Sequence, residues 1–75
     1  MKGVGRKKNW KVVDRCENSI VWKKTSGKTK KVAMWKVGLG GGKTGYEVCS
    51  NFPKGKVSVH KKKDNALKKV KTLMR

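Results

Sequence analysis

Acidic residues are nearly absent from this chain. Only four of its 75 residues are Asp or Glu, and these four, Asp14, Glu17, Glu47 and Asp64, are scattered. General acid–base work needs a poised pair and metal-assisted hydrolysis gathers carboxylates on an ion, so the scatter speaks against both. Histidine occurs once, at His60, and the two cysteines, Cys16 and Cys49, form no C-x-x-C pair that would bring two ligands together locally. No metal site, no cofactor and no catalytic constellation is therefore expected. Two cysteines are too few for a secreted disulfide framework, although a single bridge stays open if the first and fourth strands lie side by side. Long apolar runs are missing as well. Nothing approaches the roughly 18 to 20 residues that span a bilayer, and the N-terminus has no apolar stretch of the signal-peptide kind. The expected setting is intracellular, in cytoplasm, nucleoid or virion, with no membrane and no small-molecule substrate.

Arginine is the next scarcity: the basic residues divide into 19 Lys and three Arg. Bidentate reading of guanine usually calls for Arg, whereas lysine is a flexible point charge suited to phosphate. What the chain has in abundance is positive charge, +18 in all. A small domain repels itself at such density, which makes physical sense if a polyanion normally neutralises it, and nucleic acid is the obvious polyanion.

Seventy-five residues suit one domain near the lower limit for a single core. Apolar residues make up 35%, which on composition alone leans toward disorder. The patterning opposes this, because Trp10, Trp22, Trp35, Tyr46 and Phe52 are spread among valines as a core requires. Residues 1–9 are basic, glycine-containing and aperiodic, and read as a mobile arm preceding a domain over 10–75.

From Trp10 to Cys16 and from Ile20 to Thr25 the chain is rich in β-formers, with turn residues Glu17, Asn18 and Ser19 between them, so a hairpin is expected. After a turn at Ser26-Gly27-Lys28, residues 30–39 alternate. Ala33, Trp35, Val37 and Leu39 fall on one face, assigned here to the core, with Lys30, Val32, Met34, Lys36 and Gly38 on the other. Leu39 to Gly45 is too glycine-dense for regular structure and reads as a loop. Tyr46, Val48 and Phe52 share a face of the next strand, Pro53-Lys54-Gly55 makes a turn, and residues 56–61 form a last short strand. There Val57 and Val59 point one way and Lys56, Ser58 and His60 the other. Asp64 can cap a helix whose apolar positions Ala66, Leu67, Val70, Leu73 and Met74 close into one stripe. The expected fold is α+β, a small antiparallel sheet of four to five short strands packed against one C-terminal amphipathic helix.

Gly40-Gly41-Gly42-Lys43-Thr44 looks like the end of a phosphate-binding P-loop, but G-x-x-x-x-G-K-[ST] needs Gly where Val37 stands, and no strand–loop–helix unit follows. The loop can still meet a backbone phosphate through its amides and Lys43. His60 beside Lys61, Lys62 and Lys63 reads as a solvated strand-end residue. Each aromatic has core packing as its first role, with Trp22 as the candidate for stacking on a base.

Lys30-Lys31-Val32 with Trp35-Lys36-Val37-Gly38, then Gly40 to Gly45 and a lysine-rich C-terminal helix, resembles the seven-kilodalton crenarchaeal chromatin proteins. The resemblance covers well under half of the chain and implies a small β-barrel capped by a helix, binding duplex DNA. The long strand that separates the two motifs in that family is missing here and a segment over 53–63 is added, so no site residue is carried across.

These readings converge on a small nucleic-acid binder of low sequence specificity, architectural or regulatory, with no enzymatic activity. Double-stranded DNA is the first choice of partner and RNA, as in a ribosomal or ribonucleoprotein component, the second. A virus-encoded protein that docks on a host protein and inhibits it is the rival from another class. The expected contacts are Arg6, Lys7 and Lys8 of the arm, and Lys11, Lys23, Lys28, Lys30, Lys36, Lys43, Lys54 and Lys56 of the strands and turns. Met34, or Val32, serves as an apolar wedge between base steps. The protein is expected to be a monomer or weak dimer.

Overall fold

Alternating strand residues separated by tight turns leave the chain one simple course, a meander. The computed structural model describes residues 4, 8–25, 27, 29–51, 55 and 57–74. Five strands, β1 (Trp10–Cys16), β2 (Ser19–Lys24), β3 (Lys31–Gly40), β4 (Lys43–Ser50) and β5 (Val57–His60), precede one helix, α1 (Lys63–Leu73). The sheet is antiparallel throughout in the order β1-β2-β3-β4-β5. It is an open sheet with β1 and β5 at its edges, so the barrel implied by the chromatin-protein resemblance does not form. The α+β expectation holds.

Two turns are tighter than the sequence suggested. Leu39 to Gly45, expected as a loop, is almost wholly strand: β3 runs through Gly40, β4 starts at Lys43, and only Gly41 and Gly42 lie between. Their φ angles of +58° and +76° are those of a two-residue turn that matches the right-handed twist of a hairpin. Gly40 sits beside a shift in the pairing register, a bulge of the kind glycine permits. Dense glycine here sharpens a hairpin instead of dissolving one. The β1–β2 turn keeps only Glu17 and Asn18, because Ser19 already belongs to β2, and the Asn18 carbonyl accepts the Lys36 amide at 2.8 Å, which ties the turn to β3.

The helix lies over β3, β4 and β5. Ala66, Val70 and Met74 are buried and Leu67 and Leu73 pack half-buried at the edge of the same cluster, as the stripe predicts. Asp64 is not the cap. The helix starts at Lys63, its N-cap is Lys62, two residues before Asp64, in an extended conformation, and no side chain caps it. Asp64 instead falls in the first turn, where its charge still favours the helix dipole.

The face of β3 that enters the core is the opposite of the one expected. Val32 and Met34 are 0% exposed, while Ala33, Trp35 and Val37 are only half-buried on the other side. Cross-strand partners share a face, and they decide the matter: Val32 stands between Trp22 and Ser50, and Met34 between Ile20 and Val48. The core is therefore Trp10, Ile20, Trp22, Val32, Met34 and Val48 beneath Ala66, Val70 and Met74. Counting apolar residues favoured the odd-numbered face of β3. The odd face cannot be the buried one, because its register carries Lys11, Lys23 and Lys31 with it. Val4 also packs half-buried against the core, so the segment read as an arm contributes at least this side chain to the fold. Among the described residues, no helix is long and apolar enough to cross a membrane.

Candidate nucleic-acid interface

A sheet covered by a helix on one face leaves the other face bare, and the pairing registers fix what that face carries. Lys11 pairs with Lys23, and Lys23 pairs with Lys31. Three lysines from three adjacent strands thus form one transverse row, about 4.8 Å from strand to strand. Like charges set directly opposite each other on a sheet are destabilising, so the row is an arrangement that folding alone would not favour.

The row continues through Asn51, just past the end of β4. Its side-chain Oδ1 accepts the Lys31 amide at 2.7 Å, its own amide donates to the Lys31 carbonyl at 3.2 Å, and its Nδ2 donates to the Thr29 carbonyl at 3.4 Å. Asn51 closes the end of the β3–β4 ladder and holds Lys31 at the row's inner end. No property of Asn51 in the sequence marked it for this. Its offset of 20 residues from Lys31 becomes legible only once the hairpin register is known.

Beyond the lysine row the same face loses its positive charge and becomes largely apolar, with Asp14 and Glu47 as its acids. The next row is Asp14, Val21, Ala33, Cys49 and Val57, and the one after it Cys16, Ser19, Trp35, Glu47 and Val59. Val57 and Val59 are 56% and 53% exposed. An apolar recess of about 300 Å³ opens between the two kinds of surface, lined by Val21, Ala33, Cys49, Ser50, Asn51 and Gly55 with Lys31 at its rim.

The expected contacts distribute unevenly over this frame. Lys11 and Lys23 are on the open face as members of the row. Lys30 is half-buried just before β3, where its carbonyl accepts the Lys24 amide at 2.9 Å. Lys36 is exposed on the helix side of the sheet, in register with Tyr46 and His60, and Lys43 is exposed beside the Gly41–Gly42 turn. Lys8 is exposed ahead of β1. Arg6, Lys7, Lys28, Lys54 and Lys56 lie outside the described residues. Met34 cannot be a wedge: it is sealed in the core with Val32, for the register reason given above. Trp22, the candidate for stacking, is buried too, and the indole that reaches the open face is that of Trp35.

Lys31 and Trp35 also stand on this face and were not among the contacts expected from the sequence. The signal for both was parity, since Lys31, Ala33 and Trp35 alternate on the same side as Lys23 and Val21 once β2 and β3 are set in register. His60 is half-buried and shares a 3.0 Å hydrogen bond with Ser58 Oγ through Nε2 on the helix side. Cys16 and Cys49 are not joined in a disulfide, and two strands separate β1 from β4. That places them about 14 Å apart by strand spacing, twice the reach of a disulfide, so the bridge left open by the sequence is excluded within one chain. Among the described residues no three of His, Cys, Asp and Glu come together as a ligand set for a metal ion. No family model, no curated protein and no solved structure matches this chain, so the open face and its lysine row must carry the functional argument by themselves.

Proposed function

We propose that this protein binds nucleic acid through its phosphates, with little sequence selectivity and without catalysing a reaction. The observation that carries the reading is the row Lys11–Lys23–Lys31 across three adjacent strands. In the free protein these ammonium groups repel one another. A phosphate backbone laid over them replaces that repulsion with attraction and releases condensed counterions. Lys43 at the β3–β4 turn and Lys8 ahead of β1 extend the positive surface at its margins, and the total charge of +18 supplies long-range steering toward a polyanion.

Weak selectivity follows from the same chemistry. Lysine contacts position a backbone without reading bases, and only three arginines exist in the chain to read a guanine edge. Duplex DNA, the first choice of partner, meets the row by phosphate contact alone, since the wedge residues Val32 and Met34 are in the core. Such a protein works inside a cell or virion, where nucleic acid is its commonest polyanion.

The test is a titration of duplex DNA, single strands and structured RNA against the protein across a range of salt. With about six to eight phosphates engaged, the log–log slope on duplex DNA is roughly −5 to −7. A slope near zero on every nucleic acid, or a single protein partner that co-purifies after nuclease treatment, overturns the reading.

A further inference from the structure

We infer that the open face of the sheet takes an unpaired stretch of nucleic acid, with phosphates on Lys11, Lys23 and Lys31 and bases on the apolar rows beside them. The inference rests on the nucleic-acid reading above and goes beyond it by naming the strand state of the partner.

Two features of the face argue for unpaired bases. The first is where charge stops and carbon begins. Lys31 ends the lysine row and also rims the recess lined by Val21, Ala33 and Cys49. Lys31 to Ala33 is one two-residue step along β3, about 7 Å, which is one nucleotide's reach from phosphate to base. A volume of about 300 Å³ admits a planar base lying on the sheet. Duplex DNA keeps its base faces stacked inside and has nothing to offer an apolar recess. A single strand has a base face at every nucleotide.

The second feature is Trp35. It stands one further step along β3 from Ala33, on the same face, only half-buried and outside the core cluster. An indole there is a stacking platform for the next base. The acids on the face fit this polarity. Asp14 is in register with Val21, and Glu47 with Trp35. They turn phosphates away from the apolar rows and confine the backbone to the lysine end, while Glu47 remains able to accept hydrogen bonds from exocyclic amines. A second copy of the chain is the wrong occupant, because it would bring another +18 against the same lysines.

The test uses the full chain and labelled oligonucleotides of equal length: a single DNA strand, a single RNA strand free of pairing, and a DNA duplex, followed by anisotropy and by tryptophan emission. Single strands are expected to bind about tenfold or more tightly than the duplex at equal salt and to quench emission. Trp35→Phe keeps the platform and the affinity but loses most of the quench, because the remaining indoles of Trp10 and Trp22 are buried. Ala33→Leu fills the recess and removes about tenfold of single-strand affinity while duplex binding stays, with circular dichroism as the check on folding. DNA and RNA strands binding alike support the inference equally. Duplex binding as tight as single-strand binding, with no change in emission, overturns it and leaves the phosphate-led reading standing. So does sedimentation showing a dimer that persists at low micromolar protein and that the Ala33→Leu change breaks. Absence of salt-dependent binding to all three oligonucleotides overturns both.

Discussion

Gly45 on β4 lies against the backbone carbonyl of His60 on β5: a Cβ at position 45 would stand 2.8 Å from that oxygen and 2.8 Å from Leu39 Cδ1. The leucine end can swing aside, but the carbonyl belongs to the neighbouring strand and cannot move without moving β5. Glycine is needed here for space and not for an unusual φ. Gly45→Ala is therefore expected to cost about 1–3 kcal/mol, read as a lower denaturant midpoint. Gly38, whose Cβ would meet nothing within 4 Å, is the control. Gly38→Ala is expected to be neutral or to stabilise by up to about 1 kcal/mol, because it removes backbone freedom from the unfolded chain. Equal costs for the two changes would refute the packing argument.

Removing the central lysine of the row should separate stability from binding. Lys23 has a like charge on each side, Lys11 and Lys31. Lys23→Gln is expected to raise the stability of the free protein by roughly 0.2–1 kcal/mol, more at low salt than at high salt. The same change weakens nucleic-acid binding and lowers the salt slope on duplex DNA by about 1. Thermal melts at two ionic strengths and a salt titration of binding check both halves. A variant that is less stable and binds normally would show that the row is structural.

Asn51 offers a second route to the same row without touching a charge. Its Oδ1 holds the Lys31 amide at 2.7 Å. Asn51→Ala leaves that amide to find another partner and frees the end of the β3–β4 ladder. The expected loss of stability is about 0.5–1.5 kcal/mol, and binding weakens with the salt slope unchanged, because every lysine is still present. Asn51→Asp keeps the acceptor for the Lys31 amide but loses the Nδ2 donor to the Thr29 carbonyl and adds a negative charge beside Lys31, so it costs some stability and weakens binding more than Asn51→Ala does.

The strands, their order of appearance, the first turn and the helical stripe were legible in the sequence, because each is written in a local pattern: period two around Trp35, turn residues at Glu17 and Asn18, and a 3.6-residue repeat from Ala66 to Met74. The sidedness of the sheet was not. Both parities of β3 are apolar, Val32 and Met34 on one and Ala33, Trp35 and Val37 on the other, so periodicity alone gives two faces without saying which is covered. Only long-range pairing resolves it, by placing Val32 and Met34 in line with Trp22, Ile20 and Val48. The candidate site inherited that reversal. Lys11 and Lys23, both among the expected contacts, lie on the open face, while Lys31 and Trp35 share that face but were not among them, because the odd-numbered side of β3 was assigned to the core.

The reversal yields a direct test at Met34, which lies fully buried between Ile20 and Val48. As a wedge, Met34→Ala would weaken binding and spare stability. As a core residue it is expected to cost about 2–5 kcal/mol, a large share of the stability of a domain this size, with the folded fraction binding as tightly as before. Denaturant unfolding set beside a binding titration at low temperature, where the variant remains folded, separates the two roles.

Cys49 reports on the open face without any change to the lysines. It is half-buried at the wall of the apolar recess, whereas Cys16 is exposed on the edge strand β1. In free protein Cys16 is expected to react with a thiol reagent faster than Cys49, and mild oxidation should give no intramolecular bridge, since two strands lie between them. Cys16→Ser isolates the Cys49 thiol. A single-stranded oligonucleotide at saturation should then slow its alkylation several-fold, and a duplex bound through phosphates alone should not. Mass spectrometry over a time course reads both rates. Protection by the duplex equal to that by the single strand would mean that the recess is covered by backbone and not by base, and the strand-state inference would fail on a measurement that involves neither affinity nor fluorescence.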